Sequence, residues 1–286
     1  MREFLSCKKA MEYCLEKKTF AIAHLYKDEK TMDMHIHDCH EIYFSISGGK
    51  QFLIDNKFYS IEPGDIFVIN QYESHCLSMV ESSLHERIVI SIYPEFIEKL
   101  CDGKTNLAEC FQDRKKKDSH KISLTKEEQH EFLYLINRIA NVEEYAKEMS
   151  ETAFFIEMMV LVNKAFRGKN SDEGREQSVR YNSRVDEILS YINMNIGNRM
   201  TIEDLAGRFN LSESYICRMF KDATGTTVNK YVSARRISMA KALLGSGSSV
   251  QEAFEKTGFS DYSSFFKSFT KAVGISPKKY AQCSVK

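Results

Sequence analysis

The stretches LSESYICRMFKDATG (Leu211–Gly225) and GFSDYSSFFKSFTKAVG (Gly258–Gly274) decide how this chain is read. Superposed, they expose an internal repeat. Ile202 falls on Val250 and Leu211 on Phe259 at an offset of 48, then one extra residue enters at Ser260. Beyond it Ser212 falls on Asp261, Ile216 on Phe265, Arg218 on Lys267, Phe220 on Phe269, Gly225 on Gly274 and Tyr231 on Tyr280, at an offset of 49. Each copy spells helix, tight turn, helix. In the first, Thr201 can cap a helix that buries Leu205 and Ala206, Asn210-Leu211 turns, and Ser212 caps a helix that buries Ile216, Met219 and Phe220. In the second, Gly258 turns, Asp261 caps, and Phe265 and Phe269 are buried.

The spacing leaves Ser214, Cys217, Arg218 and Lys221 on the outer face of one second helix, and Tyr262, Ser263, Phe266 and Lys267 on that of the other. A helix of this size fits the major groove of B-DNA. Between the copies, Asn229 to Leu244 predicts a helix about 24 Å long. Since successive major grooves on one face of DNA lie roughly 34 Å apart, that helix is a plausible spacer between two readers. A helical scaffold whose repeat serves packing alone is the competing reading, and it predicts no salt-dependent duplex binding.

The stretches LSESYICRMFKDATG, ARRISMAKALL and GFSDYSSFFKSFTKAVGISPKKY together resemble the paired helix-turn-helix signature of the AraC/XylS regulators, including the Gly274-x-Ser276-Pro277-x-x-Tyr280 ending. The resemblance covers about a hundred residues. It implies that Ser214, Cys217 and Arg218 read bases in one groove of double-stranded promoter DNA, with Lys221 on phosphate, while Tyr262, Ser263, Phe266 and Lys267 face the next groove. Two positions depart from the family pattern. Ala253-Phe254 stands where a large aliphatic residue and alanine are usual, and Phe266 is not a hydrogen-bonding reader, so the second motif is expected to contribute shape or thymine-methyl contact.

Upstream the character changes. From Phe20 to Ile92 short β-branched and aromatic runs (Glu41 to Ser47, Gln51 to Ile54, Ile66 to Ile69, Arg87 to Ile92) alternate with the turn residues Gly48-Gly49, Asp55-Asn56 and Pro63-Gly64, which predicts a small barrel or sandwich. After Pro94 the strand signal stops. Thr125-Lys126-Glu127-Glu128 is a capping box opening a helix with a Phe132, Leu135, Ile136, Ile139 stripe. A second helix, Ser150 to Phe166, is apolar on almost every side and must be covered on two faces, by its own barrel and by something else. A second subunit would serve.

Within the strands, His35-Ile36-His37-Asp38-Cys39-His40-Glu41, then Pro63-Gly64-Asp65 and His75, carry the His-x-His-x-x-x-Glu spacing of cupins. On a strand, residues 35, 37, 39 and 41 would point to one face, lining the interior with two imidazoles, a thiol and a carboxylate. His35, His37, Cys39, Glu41 and His75 are therefore the candidate effector site, and His35, His37, Glu41 and His75 a candidate set for Fe, Mn, Ni or Zn. A divalent metal, a metal-free organic ligand and purely structural histidines are all open readings at this point. Neither the metal nor any other cofactor is required by the DNA-reading function.

The expected architecture is α+β. A cupin-like ligand-sensing β-barrel spans 1–122, a helical dimerisation hairpin 123–166, a polar linker 167–182, and the all-α double helix-turn-helix 183–286. Composition agrees with two globular domains: 43% apolar and 28% charged residues exclude an extended disordered chain, and no run reaches the 18 or more apolar residues of a membrane span. The eight cysteines show no Cys-x-x-Cys pair, so reduced thiols are expected, and Arg2, Glu3, Lys8 and Lys9 with no apolar core after Met1 predict no secretory signal and a cytoplasmic location. Net charge is zero, yet residues 183–286 hold 15 Lys+Arg against 9 Asp+Glu while residues 1–182 hold 25 against 31. The C-terminal part is thus the candidate for a polyanionic partner. The run Arg114 to Lys117 lies in the acidic part and is expected to be a solvated charge cluster.

The function expected is a sequence-specific transcription regulator, an activator that engages RNA polymerase, homodimeric through residues 125–166 and responsive to a small-molecule effector. Effector binding would change how the helices from Thr125 to Phe166 pair or dock. A cupin metalloenzyme with an accessory DNA-binding domain is the alternative, motivated by His35, His37, Glu41 and His75.

Overall fold

Apolar runs separated by turn residues become the strands of two facing antiparallel sheets, and the rest of the chain is helical. The computed structural model describes residues 4–27, 34–47, 51–79, 85–112, 119–168 and 183–284. In chain order the N-terminal elements are α1 (Cys7–Lys17), β1 (Phe20–Lys27), β2 (His40–Ser47), β3 (Gln51–Ile54), β4 (Lys57–Ser60), β5 (Asp65–Ile69), β6 (His75–Met79), β7 (His85–Ile92), α2 (Pro94–Lys99), α3 (Glu109–Gln112), β8 (Lys121–Ser123), α4 (Lys126–Ala140) and α5 (Lys147–Gly168). One sheet runs β1-β7-β2-β5-β8 and the other β4-β3-β6. Asp55 makes the β3–β4 turn with φ 52, a left-handed conformation that the short Asp side chain tolerates. Gly48-Gly49, Arg114–Lys117 and residues 169–182 of the expected linker lie outside the described residues.

Side-chain alternation gives the larger sheet two apolar faces. Tyr43, Phe67, Ile69 and Val89 point inward and meet Phe52, Ile54, Tyr59 and Leu77 of the smaller sheet. Phe20, Ile42, Phe44, Ile66, Val68, Ile88 and Ile90 point outward under α4 and α5. Sheets buried on both faces read as continuous apolar runs, which is why these strands show little polar alternation. The Thr125 capping box forms as expected, with Glu128 N donating to Thr125 Oγ1 at 3.2 Å and Thr125 N to the Glu128 carboxylate at 2.8 Å.

Three expectations need correcting. The strand signal does not end at Pro94: β8 pairs with β5 in the register Ile66↔Ile122, held by Lys121 Nζ on Asp65 at 2.8 Å. Three residues with one apolar side chain are too few to express a period. Residues 35–39 do not form a strand; only His35 pairs, in an isolated bridge to His75. Phe155 of α5 stacks on Phe20 of the barrel at 4.4 Å, and part of the remaining surface of α5 is covered from within the chain and not by a second subunit, the buried Asn163 donating to Leu107 O at 2.8 Å and accepting from Cys110 N at 3.0 Å. Along the same helix Arg138 of α4 lies 4.4 Å above the Phe154 ring. Tyr134, Tyr145 and Met149 remain exposed on this hairpin.

The C-terminal helices are α6 (Ser183–Met194), α7 (Ile202–Phe209), α8 (Glu213–Thr224), α9 (Val228–Gly245), α10 (Val250–Lys256), α11 (Tyr262–Val273) and α12 (Pro277–Ser284). Thr201, Ser212, Ser249 and Asp261 cap α7, α8, α10 and α11. The spacer α9 has 18 residues, about 27 Å at 1.5 Å each. Each motif has its own core. Leu205, Ile216 and Phe220 pack with α6 residues Ile188, Leu189 and Ile192; Ala253, Phe265 and Phe269 pack with Ile237, Ala240, Leu244 and Tyr280. Gly258 turns with φ 71, and a Cβ there would sit 2.6 Å from Ile196 O and 2.8 Å from Asn198 O, so only glycine fits.

Candidate functional site

Alternation on α8 separates a buried face from a solvent face. Ile216, Met219, Phe220 and Ala223 turn inward; Ser214, Arg218 and Lys221 are exposed and Cys217 is half-buried. On α11 the same helical spacing buries Phe265 and Phe269 and exposes Tyr262, Ser263, Phe266 and Lys267. The residues expected to face outward therefore do so in both motifs, with Cys217 only half accessible. Phe254, one of the family departures, is accommodated at the rim of the second core, 5.6 Å from Tyr262 and 5.8 Å from Phe265 between ring centroids. Tyr262 and Phe266 then form an exposed aromatic pair at 6.3 Å, chemically unlike the polar face of α8.

The histidines converge even though the segment carrying them is irregular. Glu41 belongs to the larger sheet and His75 to the smaller, and the His35–His75 bridge and the loop through His37 close the gap between them. Ligand atoms of His35, His37 and His75 lie within 4.8 Å of one another. His37 Nε2 is 3.0 Å from Glu41 Oε2, and His75 Nε2 is 3.7 Å from Glu41 Oε1. His37, Glu41 and His75 are buried and His35 is half-buried.

Burial works against the Glu41 charge, but the His37 hydrogen bond and the nearby His75, His37 and His35 hold its pKa at about 2. His75 is pushed well below the usual imidazole value by burial and by His35. For His37 burial acts downward, yet Cys39 and Glu41 leave it raised. Cys39 lies beside His37, its sulfur 3.6 Å from His37 Nδ1, and packs into the inner core. Its hydrogen bond with Cys14 and its burial push the thiol well up, so it is a small buried thiol and not a ready thiolate.

What the residue pattern missed is that this cluster adjoins the contact between the two halves of the chain. Leu53, Phe58 and Cys76, on the outer face of the smaller sheet, belong to the core of the first helix-turn-helix. Asp55 pairs with Arg235 of α9, and the backbone oxygen of Asp55 accepts from Tyr231 Oη at 2.8 Å. Two residues flanking the histidines hold the second motif: Asp38 takes Lys241 at 2.8 Å and Tyr280 Oη at 2.6 Å, and the Tyr72 backbone oxygen accepts from Ser238. No signal of period or spacing marks these partners, which lie far apart in the chain.

A family model described as an AraC-like ligand binding domain matches residues 19–147, and one described as a helix-turn-helix domain matches residues 205–282. Transcriptional regulatory protein HptR of Staphylococcus aureus is 34% identical over 98 residues, 34% of this chain and 39% of that protein. A response regulatory protein of Staphylococcus epidermidis is 36% identical over 96 residues, 34% of this chain and 38% of that protein. The chain thus spans well under half the length of these curated relatives. Among solved structures, the C-terminal domain of AraT from Geobacillus stearothermophilus is 28% identical with a TM-score of 0.35, covering 36% of this chain and 88% of that one. ToxT of Vibrio cholerae is 14% identical with a TM-score of 0.35, covering 94% of this chain and 99% of that one.

Proposed function

The chain belongs to the AraC family of transcription regulators, with an AraC-like ligand-binding domain followed by a helix-turn-helix DNA-binding domain, and we propose that it is a cytoplasmic activator that reads two successive major grooves of promoter DNA under control of a small ligand held by the N-terminal sheets. One observation carries the DNA half of this reading: two separately cored, capped helix-turn-helix units stand at the ends of one 18-residue helix and each presents an exposed face. Ser214, Cys217 and Arg218 read base edges in the first groove and Lys221 binds phosphate. In the second groove Ser263 and Lys267 supply polar contact, while Tyr262 and Phe266 supply shape and thymine-methyl contact.

The ligand half rests on the cluster of His35, His37, Glu41 and His75, with Cys39 behind it, because the remaining interior between the sheets is filled with rings of Tyr43, Phe52, Tyr59 and Phe67. The contacts of Asp38, Asp55 and Tyr72 with α9 and α12 offer a shorter route from ligand to DNA reader than the hairpin of α4 and α5. That hairpin, residues 125–166, is the proposed homodimer contact through its exposed outer side, and it would set the spacing of two promoter half-sites for RNA polymerase. Sedimentation at micromolar concentration is expected to give twice the 33.1 kDa chain mass. A single-chain mass both with and without DNA removes the dimer.

Selection of sites from a random duplex pool followed by titration tests the DNA reading. Arg218→Ala is expected to weaken the selected site by about 1 to 3 kcal/mol and to relax preference at one or two base pairs. Lys221→Ala should weaken all duplexes alike and lower the salt dependence by roughly one phosphate contact. Equal loss on every sequence for Arg218→Ala would remove it from the base-reading set.

A further inference from the structure

Hydrogen-bond partners fix the tautomers of two of the clustered histidines. His75 Nδ1 lies 3.0 Å from Glu73 O and His37 Nδ1 lies 2.9 Å from Cys39 O. A carbonyl oxygen only accepts, so both Nδ1 atoms carry the proton, and in a neutral ring Nε2 then presents a lone pair. His37 Nε2, 3.0 Å from Glu41 Oε2, donates to that carboxylate, whereas His75 Nε2, 3.7 Å from Glu41 Oε1, turns a bare lone pair toward a group that can only accept. Two acceptors facing each other in a buried site repel unless a cation lies between them. A proton on His37 Nε2 satisfies that ring and Glu41 at 3.0 Å, but it leaves His75 Nε2, fully buried and with no hydrogen-bond partner, still orphaned. A histidine whose Nδ1–H is held by a backbone carbonyl while its Nε2 turns to a shared point is oriented as metal-ligating imidazoles are.

We propose that His35, His37 and His75, together with Glu41, bind one divalent transition-metal ion, and that this ion strengthens the clamp by which the N-terminal sheets hold the DNA-binding domain. The inference rests on the sensing role proposed for these residues and names its ligand class. Three imidazoles and one carboxylate select a borderline ion such as zinc over magnesium or calcium, which prefer all-oxygen shells. Two nitrogens each about 2.1 Å from one ion are at most about 4.2 Å apart, so the present spread of up to 4.8 Å closes by about half an ångström.

The coupling follows from the two segments that bear the ligands. His37 adjoins Asp38, which holds Lys241 and Tyr280, and the His37 backbone oxygen accepts from Tyr72 N at 3.0 Å. Tyr72 in turn meets Ser238 and Tyr280. His75 adjoins Ser74, whose backbone N–H and hydroxyl both reach the Asp55 carboxylate that pairs with Arg235. Drawing His37 and His75 onto one ion therefore fixes both segments in the conformation that grips α9 and α12. By linkage, loosening the grip must weaken the ion.

The test uses the full chain, stripped with chelator and titrated with zinc chloride by calorimetry, with magnesium chloride as the contrasting ion. The expected result is one equivalent of zinc per chain and no magnesium. Zinc affinity should fall at least tenfold in His35→Gln and in His75→Gln and stay unchanged in His130→Gln, an exposed histidine of α4. Lys241→Met and Asp38→Asn, which break the grip without touching a ligand, should each weaken zinc at least fivefold. Melting curves report folding, and the half-buried His35 carries the test if His75→Gln does not fold. Less than half an equivalent of zinc, or equal affinity in wild type and His35→Gln, overturns the site; unchanged affinity in both grip variants overturns the coupling. Salt-dependent duplex binding, measured on the same stripped protein, separates the two readings. Its survival without zinc binding leaves the regulator standing and the ion site refuted, and its loss beside intact zinc binding does the reverse.

Discussion

Phe265→Ala is expected to destabilise the second helix-turn-helix by about 3 to 5 kcal/mol, the range for deleting a fully buried phenylalanine. Phe265 has no exposed surface and its ring centroid lies between 5.6 and 5.9 Å from those of Phe254, Phe259, Tyr262 and Phe269. Removing the ring takes the common neighbour from four others, and α10 and α11, which carry three of them, are too short to persist without packing. Because the first motif packs in a separate cluster around Phe220 and Ile188, the loss should be local. Hydrogen exchange is the measurement: amides of α10 and α11 lose protection while those of α7 and α8 keep most of theirs. On DNA, the footprint should shrink to the half-site read by α8. Uniform loss of protection across both motifs would mean that α9 welds them into one cooperative unit.

Arg235→Ala should cost about 3 kcal/mol, the lower end of what breaking a buried ion pair costs, since the Arg235 and Asp55 side chains each keep about a fifth of their surface exposed. Arg235 holds three groups at once: the Asp55 carboxylate, Asn193 Oδ1 at 2.7 Å and Ser74 Oγ at 3.5 Å. Without it Asp55 is left as an uncompensated charge at the contact between the sheets and α9. Urea unfolding of the single and double variants should therefore be non-additive, with Arg235→Ala/Asp55→Ala costing less than the sum of its parts. The penalty also has a pH sign. Burial raises the Asp55 carboxyl above the ordinary 3.8 against the pull of Arg235, with Glu73 also raising and His120 lowering it. Deleting the guanidinium removes a lowering influence, so the folded state binds its proton more readily than the unfolded chain. Stability relative to wild type should then recover as pH falls from neutrality through the raised folded value. A penalty independent of pH between about 7 and 4 would show that Asp55 is not the group left stranded.

What could be read from residues alone follows the range of the interactions involved. The caps at Thr125, Thr201, Ser212 and Asp261 act over three residues, the turn at Gly258 over one, and the buried stripes of α8 and α11 over a few turns. Each is therefore written in contiguous sequence, and the repeat writes two of them twice. The Ser249 cap with Glu252 is equally local but has only a seven-residue helix behind it. β8 escaped because its pairing is nonlocal and its own text is three residues long. The histidines were identifiable by type and spacing, yet the strand assumed to carry them does not form; they meet because His75 bridges to His35 across 40 positions of chain.

Residue order was enough to specify the architecture, an α+β chain with a sheet-rich N-terminal part and a repeated helix-turn-helix, and to specify which side of each reading helix faces out. Periodicity, caps and turn residues are properties of neighbours along the chain, and hydrophobic burial leaves them few ways to assemble. Three-dimensional packing was needed to bury the Cys39 thiol in the inner core behind His37, to turn the bare Nε2 of His75 toward Glu41, and to make the segments carrying the histidines grip α9 and α12. Those outcomes depend on which backbone carbonyl a ring nitrogen finds and on pairs such as Asp55 and Arg235, 180 residues apart. No local preference encodes such partners, because their energy appears only once the sheets and helices have already packed.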